Sequence, residues 1–460
     1  MVIYQCSVCG YLFDEEKEGK SFADLKECPV CHQPASVFRK KETSRPTEPA
    51  AAPSQDPLTE LAREDDSIRY MKEIHQMAQT GRSLSAAMGT QVPLPAWEDI
   101  LLLGAQLSSQ PLLDHQPVST QTILGKHAHK PLVLESPVYI SHMSFGALSR
   151  EAKIALAKGA SMAGTATCSG EGGVLPEEMA AADRYIFEYV PNRYSVTPEL
   201  LKAAGAIEIK IGQSAKPGMG GHLPGEKVTP EIAQVRGRPA GQDVHAPSRF
   251  EDITSKEDLR DLVEQLRYAS QGRPIGIKIA AGHIEEDLAC CVFAQPDFIT
   301  VDGRGGGTGS APQMLRDAAG VPTIYALYRA RECLDELGSD IDLVITGGLR
   351  VSSDFAKAIA MGADAVAVAT GALLALGCQQ YRICGSGNCP MGIATQNPQL
   401  RQRLNPEAAA KRVANYLNVC REELEMFARI TGHKDIHHLS VNDLCTTSQE
   451  ISEFTNIQHA

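Results

Sequence analysis

The chain has no apolar run approaching the roughly 18 uninterrupted residues of a membrane span, and its start, MVIYQCSVCG, has no charged stretch leading into an apolar one. A cytoplasmic protein without a membrane partner is therefore expected. There is no basic surplus either. The formal net charge is -12 and no Lys/Arg stripe stands out, which argues against nucleic acid, since phosphate backbones need clustered cations. A dinucleotide fingerprint is also missing: no G-x-G-x-x-G follows an early strand with an acidic residue about 20 positions on. GRGGGTG at 303–309 has comparable spacing, but it follows the sixth predicted strand and lacks that partner. No nicotinamide-binding domain is recognisable, so electrons are expected from a separate carrier or reductase subunit. No internal repeat appears beyond alternating strand and helix.

What is present suits one large globular core. A (β/α)8 barrel takes about 250 residues or more, and 460 residues allow that with an appendage. Residues 1–40 form a cysteine module. The stretch 41–60, rich in Pro, Ala and charge, is predicted to be a linker. Residues 61–110 are predicted to be a helical extension packing under the next domain, from SIRYMKEIHQMAQTG and WEDILLLGAQLSS with apolar positions three and four apart. Residues 111–460 form the barrel. Short apolar runs ending in Gly-, Ser- or Asp-bearing turns alternate there with helical stretches, as βα units with a buried parallel sheet do. Eight strands are predicted, at 138–143, 165–169, 185–190, 207–212, 275–280, 297–302, 343–348 and 365–370; the third could instead belong to an elaborated loop. The tail after about 395 is predicted to be helical and to cap the barrel.

Thirteen cysteines in a chain expected to stay inside the cell favour metal ligation over disulfides. Cys6-x-x-Cys9 and Cys28-x-x-Cys31 are two knuckles 18 residues apart, four thiolates for one tetrahedral metal. Tyr4, Gly10, Tyr11, Phe13 and Pro29 around them resemble rubredoxin, whose single iron carries one electron at a time. A structural zinc ribbon would use the same four ligands, and spacing does not separate the two. Cys378-x5-Cys384-x4-Cys389-Pro390 lies in a loop with Gly377, Gly385 and Gly387, just after a predicted strand and short helix. Three thiolates there suit a cuboidal iron–sulfur cluster; a chance group of inert thiols is the bland alternative. The remaining six, Cys168, Cys290, Cys291, Cys333, Cys420 and Cys445, are expected in the core.

At the ends of the last two predicted strands stand Thr346-Gly347-Gly348-Leu349 and Ala369-Thr370-Gly371-Ala372. In such barrels a phosphate is commonly held there by backbone N–H groups. One phosphate with an attached ring, as in FMN, fits better than a dinucleotide. Simple tight βα turns would also use glycine at these places.

Together these segments resemble the FMN-binding synthase domain of glutamate synthase. The resemblance runs over about 130–430, through Met143-Ser-Phe-Gly-Ala-Leu-Ser149, Ser169-Gly-Glu-Gly-Gly173, Lys210-Ile-Gly-Gln-Ser-Ala-Lys-Pro-Gly218, Gly220-Gly-His-Leu-Pro-Gly225, Gly305-Gly-Gly-Thr-Gly309, Gly347-Gly348, and the three-cysteine loop into Gly392-Ile-Ala-Thr-Gln-Asn-Pro398. It implies FMN held by Ser144, Lys278, Gly347, Gly348, Thr370 and Gly371. It also implies a 3Fe-4S cluster on Cys378, Cys384 and Cys389, with 4Fe-4S as the alternative. Met143, Ser144, Glu171, Lys216 and Arg236 would contact 2-oxoglutarate, with Arg236 and Lys216 as the carboxylate partners. The implied reaction condenses 2-oxoglutarate with ammonia and reduces the imine to glutamate, Glu171 and Lys216 being the catalytic pair and Glu171 assisting proton movement. As a bland alternative, Glu171 is a helix-cap carboxylate in a Gly-rich turn.

Two departures qualify this resemblance. Met219 and His222 stand where the large glutamate synthases carry Glu and Gln, and are expected to line or support the substrate pocket. Val2 stands where the family's glutamine-hydrolysing domain starts with a nucleophilic cysteine, so ammonia is expected free or from a glutamine amidotransferase subunit. The loops also resemble short archaeal-type synthases and the catalytic subunit of N-methylglutamate synthase, so amine transfer on glutamate is the second reading. A non-catalytic electron-transfer subunit is the third. A homo-oligomer is compatible with all three.

Overall fold

A computed structural model describes residues 2–42, 63, 65 and 67–460. Eight parallel strands close into a barrel: Val138–Ile140 (β1), Thr167–Cys168 (β2), Tyr185–Tyr189 (β3), Ala206–Lys210 (β4), Ile275–Ala280 (β5), Phe298–Asp302 (β6), Asp342–Thr346 (β7) and Ala365–Val368 (β8). Each pairs with its sequence neighbour, and β8 returns to β1 through Val366↔Val138 and Val368↔Ile140. All eight predicted strands are present, including β3, which is buried from end to end. Buried on both faces, such strands are mostly apolar, and the charged residues they carry, such as Glu208 and Lys278, are buried with them.

The N-terminal mouth is plugged. Thr122–Leu124 and Leu132–Leu134 form an antiparallel pair whose Leu124, Leu132 and Leu134 cluster with Tyr139, Ile186, Phe298 and Val344. Burying these side chains, at about 1.5–3 kcal/mol each, closes that end and leaves the C-terminal mouth for chemistry.

Four expectations need correcting. Met71–Thr80 is a helix but has no buried residue, so it does not pack under the barrel. WEDILLLGAQLSS is not helical: a short turn at Trp97–Asp99 leads into a strand, Ile100–Leu102, paired with Leu444–Thr446. The unbroken run Ile100–Leu103 has no helical period, and Gly104 follows it. The long tail helix, Pro406–Thr431, lies against the outer helix Arg150–Met162 rather than across a mouth. Cys290 is exposed, unlike the other five scattered cysteines; it sits beside Cys291 on helix Ile284–Ala294, where neighbours point about a quarter-turn apart and only one can face inward. The linker predicted at 41–60 lies, from 43 onward, outside the described residues.

The N-terminal module is a three-stranded sheet, with Val2–Cys6 between Leu12–Asp14 and Phe38–Glu42. Its small core consists of the four knuckle cysteines with Phe13 and Phe38.

Candidate functional site

The chemistry-bearing side chains come from the C-terminal ends of the barrel strands and the loops after them, and they meet in one cavity. Met143, Ser144, Glu171, Lys216, His222, Arg236, Lys278, Gly347, Gly348, Thr370 and the three loop cysteines all line it. Gly371 does not. A Cβ there would lie 2.6 Å from the Tyr416 hydroxyl, so this glycine makes room for the tail helix. Met219 is 44% exposed and is also absent from the wall.

Glu171 is the centre of a charged group on one side. Lys210, at the end of β4, pairs with its carboxylate and donates to Gln213 Oε1 at 2.8 Å. Lys216 stands close enough to act on both electrostatically. Burial pushes the Glu171 carboxyl up, but Lys210 and Lys216 outweigh it and hold it below its ordinary value. Burial lowers Lys216, and neighbouring Lys210 lowers it further. Gly221 leaves room for this carboxylate, since a Cβ there would lie 2.7 Å from it. Arg236 is buried; it donates to the Phe145 carbonyl at 2.9 Å and lies over the Tyr194 ring at 5.4 Å. Its Nε has no hydrogen-bond partner. A buried guanidinium with an unused donor beside a cavity is suited to an anionic ligand.

His222 is held at the mouth. Its Nε2 is 2.8 Å from Asp243 Oδ2, and its ring stacks on that of His245 with 4.3 Å between centroids. His222 and His245 are cross-strand partners, and the donor atoms of the three lie within 4.8 Å of one another.

On the adjacent strand, in register with Lys210, Lys278 of β5 is buried, with Asp302 Oδ2 of β6 3.5 Å from its Nζ. Burial alone would lower its pKa, but Asp302, Glu208 and Glu188 overcome that and raise it to about 12. A fixed cation thus faces the cavity. After β7, Gly347 (φ 119°) and Gly348 (φ 98°) occupy a left-handed turn that L side chains rarely adopt. Further in, His142 Nε2 lies 2.5 Å from Glu208 Oε2, both nearly inaccessible. Lys210, His142, Glu188, Glu208 and Asp302 were not singled out from sequence. Glu188, Glu208, Lys210 and Asp302 lie between or beside apolar residues on β3, β4 and β6, His142 lies just past the end of β1, and only spatial convergence shows their role.

The three loop thiols form the third wall. Gln380 directs both its backbone and side-chain nitrogens at Cys378 Sγ, each at 3.4 Å. Lys227 donates to the Cys384 carbonyl at 2.7 Å. Among the described residues, these three sulfurs do not form a group within 4.8 Å of one another, whereas the N-terminal four do. Three spread thiolates suit a multi-iron cluster rather than a single ion. The N-terminal four converge: Cys6–Cys31 are 3.7 Å apart and Cys9–Cys28 3.6 Å, close to the edge of about 3.8 Å for sulfurs 2.3 Å from a tetrahedral ion. Burial pushes Cys31 up to about 11, so a cation among the four is what makes buried thiolates tenable.

A closed α/β barrel with a cation-lined cavity at its C-terminal mouth defines the class: an α/β-barrel enzyme with its site among the loops after the strands. The model of the conserved region in glutamate synthase matches residues 85–434. A glutamate synthase large subunit-like protein of Rhizobium meliloti is 37% identical over 84% of this chain and 92% of its own. Proteins named archaeal-type glutamate synthase [NADPH] from a Thermotoga species and archaeal glutamate synthase [NADPH] from Methanocaldococcus jannaschii are 36% and 38% identical, over 95% and 80% of this chain and 90% and 79% of theirs. The chain belongs to the glutamate synthase family and is an oxidoreductase. Among solved structures, an (S)-mandelate dehydrogenase mutant has a TM-score of 0.51 at 17% identity, covering 76% of this chain and 88% of that one; this likeness shows the fold alone. Among the described residues, no helix is long and apolar enough to cross a membrane.

Proposed function

We propose that this chain is an FMN- and iron–sulfur-dependent synthase that reductively aminates 2-oxoglutarate to glutamate, using ammonia supplied free or by a partner subunit. The observation that carries the reading is the meeting, in one cavity, of the Arg236–Lys216–Lys210–Glu171 group with Lys278, the Gly347–Gly348 turn and three thiols. The residues fit the groups. Lys278 is a buried cation suited to the electron-rich edge of a reduced flavin, and the glycine turn after β7 is suited to its phosphate. The Gln380 N–H groups directed at Cys378 stabilise a thiolate. FMN supplies hydride and the cluster supplies single electrons when bound.

The remaining steps belong to the chain. Arg236, with an unused Nε, takes one carboxylate of the oxo-acid, and Lys216 neutralises another. Glu171, kept ionised by Lys210, attracts ammonium and accepts its proton, so that neutral ammonia can attack the carbonyl. Glu171 then returns the proton to the departing water. The N-terminal site holds one iron in this reading, and the reductant is a separate electron carrier.

The test is the amine dependence of product formation by the reduced protein. Glutamate from 2-oxoglutarate and ammonium supports the proposal. Product only with methylamine and glutamate would replace it by amine transfer, and no binding of 2-oxoglutarate at all would leave an electron-transfer subunit.

A further inference from the structure

The N-terminal module does not hang on its linker; it sits on the three-cysteine loop. Tyr381, three residues after Cys378, packs into the module's core together with Ile383. Its hydroxyl accepts from Gln33 Nε2 at 3.2 Å, two residues from Cys31. Arg403 makes the second tie. Its guanidinium donates to Ser7 O at 2.7 Å and Val8 O at 3.0 Å, inside the Cys6–Cys9 knuckle, and to Pro390 O at 3.3 Å, next to Cys389. One nitrogen makes both the Val8 and Pro390 contacts. The two carbonyl oxygens are therefore no farther apart than those contacts laid end to end, and each belongs to a residue adjacent to a thiol ligand. Tyr381 itself can be no more than about 11 Å of chain from Cys378. Burial raises the Tyr381 pKa, with Cys31 and Cys9 on one side and Cys389 on the other contributing.

We propose that electrons come into this chain at the Cys6–Cys9–Cys28–Cys31 centre and reach the barrel across the Tyr381–Arg403 contact, within one polypeptide. The proposal rests on the reading above that the first centre holds iron and the second an iron–sulfur cluster. In each passage a small one-electron donor protein is oxidised by one electron and the four-cysteine iron is reduced from ferric to ferrous. The iron then returns to ferric as that electron moves to the loop centre. Two passages furnish the electron pair that reduction of one imine consumes, and two protons come from solvent. Tyr381 and Arg403 are positioning residues: they hold the two ligand loops together and touch no substrate. A zinc ribbon bracing the loop would show the same contacts but carry no electron.

The test uses the full-length holoprotein with iron or with zinc in the four-cysteine site, alongside Arg403→Ala, Tyr381→Phe and the Arg403→Ala/Tyr381→Leu double variant. Flavin bleaching is followed anaerobically with a reduced ferredoxin as donor, and separately with dithionite. Magnetic resonance of the ferric site records its broadening by the loop cluster, independently of turnover. The expected result is bleaching by ferredoxin at least tenfold slower in the zinc form and the double variant, with dithionite bleaching unchanged. The broadening is kept in Tyr381→Phe and lost in the double variant. Equal bleaching of zinc and iron forms by ferredoxin would overturn the proposal, as would absence of the broadening in the unaltered protein. If the zinc effect appears but 2-oxoglutarate with ammonium fails to reoxidise the flavin, the electron route stands and the substrate assignment falls.

Discussion

Replacing Glu171 with Gln removes one negative charge from a group otherwise containing Lys210, Lys216 and Arg236. Two opposite changes follow. The oxo-acid is a dianion, so taking away an anion beside it strengthens its binding. A unit charge about 4 Å away is worth between ~1 kcal/mol in water and ~4 kcal/mol at a protein surface. With Glu171 12% exposed, a value of ~1.5 kcal/mol is reasonable, or roughly a tenfold lower KM for 2-oxoglutarate. Proton transfer from ammonium loses its acceptor, and kcat should fall by about 10²–10⁴, with a higher KM for ammonium. Folding should lose only ~1–2 kcal/mol, because Gln still accepts from Lys210 and the pair is not fully buried. The assay is steady-state glutamate formation with each substrate varied in turn. A KM for 2-oxoglutarate that is unchanged or higher, with kcat within a few-fold of the unaltered enzyme, would refute the reasoning.

Asp342 in β7 is pushed up to about 6 by burial and by Asp364. A carboxyl whose pKa is raised by folding gives stability that is fully present below its unfolded value near 4 and lost as pH rises through 6. Denaturant melts of Asp342→Asn against the unaltered protein should show that decline, up to ~3 kcal/mol, only in the latter. Cys28→Ser should cost one metal ion per chain by elemental analysis and loosen the N-terminal module while barrel ellipticity is kept. Phe298→Ala, at a fully buried side chain in the plugged mouth, should cost about 3–5 kcal/mol by chemical denaturation and leave both KM values unchanged, because the site is at the opposite mouth.

The barrel was legible because parallel strands buried on both faces are mostly apolar runs, and IGIKIA or LVITGG admit few other readings. The motif residues were legible as well: Glu171, Lys216, Arg236 and Lys278 do meet, because chain order in a (β/α)8 barrel brings every strand end to one rim. What failed was local. Ile100–Leu103 read locally as part of a helix, but a distant partner, Leu444–Thr446, makes Ile100–Leu102 a strand. At Gly371, expected at the phosphate, the nearby Tyr416 hydroxyl is a second reason for glycine that no local spacing shows. The ties of Tyr381 and Arg403 to the cysteine module lie about 350 to 400 positions apart in sequence, and no spacing rule reaches that far.

The most direct test of the central claim is anaerobic. The protein is reduced, freed of reductant and mixed with 2-oxoglutarate and ammonium, singly and together, while flavin absorbance and amino-acid product are followed. The account predicts reoxidation with one glutamate formed per electron pair, only when both substrates are present. A flavin that stays reduced with both, or is reoxidised by 2-oxoglutarate alone, would contradict it.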